Sequence, residues 1–137
     1  MNLQKTALEL KNQNDFLSSI SKEEITFLIK ACIFELENLQ ILSEEELTQL
    51  NKVILTNEPF NNLYFKYNKE RLNTRGVIFL EEENDLEFIV SVLLYFKFRT
   101  PLMVYLSSDI QNQFYNVFIK VLNDNKASNN FIVKIDA

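Results

Sequence analysis

Apolar and polar positions alternate along this chain in two different rhythms, and the rhythm changes near Gly76. Upstream, the spacing is helical. Ser21-Lys22-Glu23-Glu24 and Ser43-Glu44-Glu45-Glu46 match the S-x-x-E capping box, in which the Ser oxygen and the Glu carboxylate satisfy backbone N–H groups left unpaired at a helix start. After the first box, Ile25, Leu28, Ile29, Cys32, Leu36 and Leu39 recur at helical spacing, and Phe27 and Phe34 widen the stripe. That pattern predicts a central helix covered on most sides. After the second box, the narrower stripe Leu47, Leu50, Val53 and Ile54 predicts a shorter helix. Leu3, Ala7, Leu10 and Leu17 predict one further helix within residues 3–17. Residues 60–72 fit two patterns. Phe60, Leu63, Tyr64 and Tyr67 suit a helix after Pro59, whereas Leu63, Phe65 and Tyr67 alternate as in a strand; the helix is preferred.

Downstream of Gly76, short β-branched and aromatic runs take over. Val77–Leu80 predicts a buried strand. Asn84 caps a helix through Leu86, Ile89, Val90, Leu93 and Leu94, which Thr100-Pro101 ends, because proline lacks the N–H and clashes with the preceding turn. Leu102–Leu106 predicts a second strand. Ser108-Asp109-Ile110-Gln111, another capping box, opens a helix with Phe114, Val117, Phe118, Val121 and Leu122. A polar loop over 123–130 leads to a last strand, 131–135. Strands alternating with helices indicate parallel strands joined by right-handed crossovers. The expected fold is therefore α/β (or α+β): an N-terminal helical layer packed on a small, mainly parallel three-stranded β-α-β-α-β sheet. We expect one domain over residues 1–137, mainly helical over 1–75 and β-α-β-α-β over 76–137.

Composition narrows the chemistry. The 137 residues include no His and one Gly. The first fact removes Ser-His-Asp triads, Cys-His pairs and HExxH zinc sites; the second removes P-loops and GxGxxG loops. No EF-hand spacing is present, no metal site is expected, and no cofactor is implied. Cys32, the single cysteine, lies in an apolar run and is expected to be a buried structural thiol. Met1–Leu10 lacks a signal-peptide hydrophobic region and no stretch approaches 18 apolar residues, so a cytoplasmic protein that neither spans nor binds a membrane is expected.

Charge is where the sequence becomes informative. The net charge is -5, which disfavours direct nucleic-acid binding, and it is distributed in blocks. Lys66, Lys69, Arg71 and Arg75 sit beside Tyr64, Phe65 and Tyr67, ingredients of a single-strand-binding patch but read here as a solvated face or a partner to the acidic blocks. Residues 81–96 carry five acids and no base. Glu81, Glu82, Glu83 and Asp85 follow the first strand, and Asp109 follows the second. In a parallel sheet both positions lie at the carboxyl edge, where open α/β sheets bind their ligands. Asp85, Glu87, Asp109 and Glu44–Glu46 are also placed to complement helix dipoles, an ordinary role that three consecutive like charges at Glu81–Glu83 fit less well. Asp124-Asn125-Lys126 has the spacing of the end of a nuclease motif but no strand acid before it.

In general character the chain is small, acidic, single-domain, rich in Asn (17 residues) and free of a catalytic signature. In these respects it resembles bacterial toxin-immunity proteins. The resemblance implies a non-catalytic protein, not an enzyme, that neutralises a cognate toxin. A basic nuclease domain is the concrete case, held by Glu81, Glu82, Glu83, Asp85 and Asp109 through electrostatic complementarity. A monomer is expected, with a dimer as the alternative. Two other classes remain open: a small acidic secretion chaperone or adaptor, which needs an exposed apolar patch and self-association, and an enzyme using carboxylates alone, which needs two acids converging in a pocket.

Overall fold

The computed structural model describes residues 3–12, 15–55, 71–72 and 77–135. Its elements are α1 (Leu3–Asn12), α2 (Asp15–Ser19), α3 (Lys22–Leu39), α4 (Glu44–Leu55), β1 (Arg71–Leu72), β2 (Val77–Glu81), α5 (Asp85–Lys97), β3 (Leu102–Tyr105), α6 (Asp109–Asp124) and β4 (Ile132–Lys134). The α/β expectation holds: β2, β3 and β4 are parallel and adjacent in that order. Two expectations need correction. Arg71–Leu72 forms a short antiparallel strand beside β2, pairing Arg71 with Ile78 and Leu72 with Val77, and so makes a fourth strand where the sequence pattern favours a helix; residues 60–70 lie outside the described residues. The single helix expected over 3–17 is two helices, α1 and α2.

Caps fix the helix starts. The Ser21 hydroxyl accepts from the Glu24 amide at 3.0 Å. Ser43 and Glu46 make the full reciprocal box, 2.9 and 3.1 Å. Asn84 accepts from the Glu87 amide at 2.9 Å. Each such cap contributes about 1 kcal/mol. The helix ends are less orthodox. Arg99 (φ 60°) and Lys126 (φ 57°) are left-handed non-glycine residues. Each closes a Schellman motif: Arg99 N–H bonds to Phe96 O and Thr100 N–H to Tyr95 O, while Lys126 N–H bonds to Asn123 O and Ala127 N–H to Leu122 O. Gln40 (φ 57°) ends α3 in the same conformation. Glycine normally takes this position because it has no Cβ to clash.

Strand alternation divides the core. Ile78, Leu80, Leu102, Val104 and Ile132 belong with α5 and α6 to the main cluster. Val77, Met103 and Ile135 face the other way, onto Ala7 and Leu10 of α1. Helix α5 is buried continuously from Phe88 to Phe96, between the sheet and an outer pair, α3 and α4, that packs on α5 and α6. The N-terminal helices thus cover the sheet twice, α1 directly and α3 and α4 through α5 and α6. Phe131 stacks between Phe16 (5.9 Å) and Phe96 (5.1 Å), and Phe118 meets both Phe96 and Phe131 edge-on. A fully buried phenylalanine contributes about 1.5–3 kcal/mol, so this cluster is a principal source of cohesion.

Two cations at the end of α5 tie the outer helices down. Lys97 Nζ donates to Val53 O (2.9 Å) and Ile54 O (2.6 Å) at the end of α4. Arg99 Nη1 donates to Leu17 O (2.7 Å) in the last turn of α2 and to Ile20 O (2.6 Å) just after it. Both meet the partially negative carbonyl end of a helix, where a cation is favoured. Cys32 is fully buried, as expected, and desolvation, with Glu35 second, pushes its thiol pKa far up.

One reading of α3 is overturned. Phe27 and Phe34 do not extend a covered face: they are 55% and 61% exposed. The buried side of α3 is completed by Ile25, Leu28, Ile29, Cys32, Ile33 and Leu36, and no described element lies over the opposite side.

Candidate functional site: the carboxyl edge of the parallel sheet

The parallel register sets Glu81 opposite Tyr105 and brings the β2–α5 and β3–α6 turns to one edge. These turns are stitched together. Gln111, fully buried in the first turn of α6, donates from Nε2 to Glu82 O (2.6 Å) and to Asp85 Oδ1 (3.3 Å), while its Oε1 accepts from the Ser107 amide (3.0 Å) and the Ser107 hydroxyl (3.1 Å). The Ser108 hydroxyl donates to Asp85 Oδ1 at 2.6 Å and accepts from the Gln111 amide at 3.1 Å. The capping box read at Ser108–Gln111 is therefore half conventional. Ser108 caps as expected, but the Gln111 side chain reaches back to Ser107 and across to the neighbouring turn.

This network sorts the candidate acids. Asp85 is half-buried, with Oδ1 accepting from Ser108 and Gln111, and so helps join the two turns. Glu82 is half-buried; its carboxylate accepts from the Asn84 amide at 2.9 Å, and its backbone carbonyl receives Gln111 and, at 3.2 Å, Ser107. Glu81, Glu83 and Asp109 are exposed, and among the described residues no ion pair involves them. Alternation along β2 sends Glu81 to the α1 face, beside Tyr105, whereas Glu83 and Asp109 belong to the turns above the edge. The arrangement is three exposed carboxylates held on a frame built from the other two acids, two serines and a glutamine.

Among the described residues, no group of three or more His, Cys, Asp or Glu side chains is placed to hold a metal ion. Among the other charged candidates, Glu44–Glu46 occupy the first turn of α4, and Glu46 caps it. Asp124 pairs with Lys120 at 3.6 Å, an exposed contact worth little. Of the basic block, Arg71 starts β1, and Lys66, Lys69 and Arg75 lie outside the described residues. Sequence reasoning missed the role of Gln111; a polar residue in a stripe otherwise continued by Phe114 and Phe118 was the available signal. No helix among the described residues is long and apolar enough to cross a membrane. Compared with protein-family models, curated proteins and solved structures, the chain matches none.

Proposed function

We propose that this chain is a non-catalytic binding protein that neutralises a basic protein partner through the carboxyl edge of its sheet, in the manner of a bacterial toxin-immunity protein. The observation that carries the reading is the sorting of the acids: Glu81 is exposed at the end of β2, Glu83 and Asp109 are exposed on the adjoining turns, and Glu82 and Asp85 help lock those turns. Fixed charges of one sign steer an oppositely charged partner and raise its association rate, and a rigid frame lowers the entropy lost on docking. A basic nuclease domain, whose phosphate-binding surface needs clustered Lys and Arg, has the complementary chemistry. The protein acts in the cytoplasm on this reading, as a monomer and without a cofactor.

The test is affinity purification of the tagged protein from its native cells, compared with the variant E81K/E83K/D109K, which leaves the hydrogen-bonded frame intact. A stoichiometric basic partner, released by high salt and absent from the variant, is expected. Recovery of the protein alone, or of a partner that the variant retains, overturns the acidic-edge reading. One observation favours the alternative of a small acidic chaperone or adaptor: the exposed aromatic pair on α3.

A further inference from the structure

The outer face of α3 has the anatomy of a docking surface. Phe27 and Phe34 lie seven residues apart, which on an α-helix places them within about 20° of one direction and about 10 Å apart along the axis. They are 55% and 61% exposed, with half-buried Ala31 between them. Exposed Glu23 and Glu24 lie at one end of this stripe, exposed Glu37 and Asn38 at the other, and Lys30 is the one exposed cation on the face. Large aromatics surrounded by charged groups are the arrangement of a binding hot spot and its rim.

The charges indicate what kind of surface fits. Glu23 and Glu24 stand in the first turn of α3, where the helix dipole favours them. Glu37 does not have that explanation: it stands at the carbonyl end, where an acid is disfavoured, and the last turn holds no basic residue. A second copy of this chain is a poor occupant. Antiparallel docking of Phe27 on a second copy's Phe34 would set Glu24 against Glu37, and each copy carries a net charge of -5. A cationic partner relieves both features at once. We infer that the Phe27–Phe34 face of α3 docks a basic amphipathic helix of another protein, whose apolar side chains cover the two rings while its lysines and arginines meet Glu23, Glu24 and Glu37. This surface shares no residue with the sheet edge, and the inference stands whether or not the edge binds a toxin.

The test uses the full chain and a defined probe: a fluorescently labelled 18-residue helical peptide with leucines on one face and lysines on the other, followed by anisotropy. The protein is expected to bind it, and F27S/F34S to weaken binding by about tenfold or more, as removal of two anchors should. E23K/E37K keeps both rings and is expected to weaken binding while flattening its salt dependence. E81K/E83K/D109K, compared at 0.15 M salt, where charges farther apart than about 8 Å are largely screened, is expected to bind within about twofold of the unaltered protein. Circular dichroism checks that each variant is folded. Binding that survives F27S/F34S overturns the inference, as does binding lost only in the edge variant. A dimer in sedimentation that F27S/F34S dissolves assigns the face to a second copy and also overturns it.

Discussion

The Ser108 hydroxyl donates to Asp85 Oδ1 across 2.6 Å, joining the starts of two helices that are separated by a whole strand in the sequence. The same hydroxyl caps α6 by accepting from the Gln111 amide, and the carboxylate also receives Gln111 Nε2. Neither helix start is independent of the other. The candidate binding edge is therefore one unit, and its inner acid is distinguishable by experiment from its outer ones.

Asp85→Ala leaves the buried Gln111 amide and the Ser108 hydroxyl each short of an acceptor. A loss of about 1–3 kcal/mol in unfolding free energy is expected from urea titration. Glu83→Ala, which removes an exposed carboxylate, should change stability by less than about 0.5 kcal/mol. Equal effects from the two substitutions would show that the frame does not distinguish the acids.

Arg99 and Lys126 share a left-handed backbone but not a role. Lys126→Gly removes the Cβ clash alone and should stabilise by about 1 kcal/mol, read as a rise in Tm. Arg99→Gly relieves the same clash but takes away the guanidinium that holds Leu17 O and Ile20 O. Charge-assisted bonds of this kind contribute about 1.5–3 kcal/mol, so the net effect should be a lower Tm. Opposite signs at two similar Schellman motifs are the expected signature.

Burial of Cys32 gives stability an alkaline limit. In the folded protein, desolvation raises the thiol pKa and keeps the proton on; in the unfolded chain the thiol ionises near its ordinary value, about 8.5. The unfolded state therefore binds fewer protons above that pH, and stability falls as pH rises, with a slope from this group approaching about 1.4 kcal/mol per unit. Cys32→Ala is expected to be the less stable protein at pH 7, through its cavity, but to lose less stability between pH 8 and 10. Parallel profiles for the two proteins would contradict this.

If the exposed edge acids steer a basic partner, their effect belongs mainly to association. E81K/E83K/D109K should lower the association rate by about tenfold or more at low salt, with the difference shrinking towards 0.5 M salt, where the screening length is only about 4 Å. Stopped-flow or surface-based kinetics with the purified partner would show it. A change confined to the dissociation rate would place these residues inside a desolvated contact instead.

Local chemistry made most of the fold legible. Ser21, Ser43, Asn84 and Ser108 each announce a helix that the structure contains, and Pro101 marks the turn before β3. What stayed hidden depends on residues distant in sequence. Periodicity identified Phe27 and Phe34 as apolar neighbours of a buried stripe, but it carries no information on whether another element covers them. The two-residue β1 is too short to show an alternating pattern. At the site, Glu81, Glu82, Glu83 and Asp85 belong to one acidic run, and only Ser107, Ser108 and Gln111, more than twenty positions on, divide them into exposed charges and a frame.

Helix α5 is enclosed on all sides from Phe88 to Phe96, and this sets a timetable for the nascent chain. Helices α3 and α4 leave the ribosome before the surfaces they rest on, α5 and α6, have been made. Until Lys97 and then Asp124 emerge, Leu28, Ile29, Leu36 and Leu50 have no finished surface to rest on, and helices in proteins draw most of their stability from such packing. The helices before β2 must wait for those after it, so α3 and α4 are set to dock only once α5 and α6 have been made.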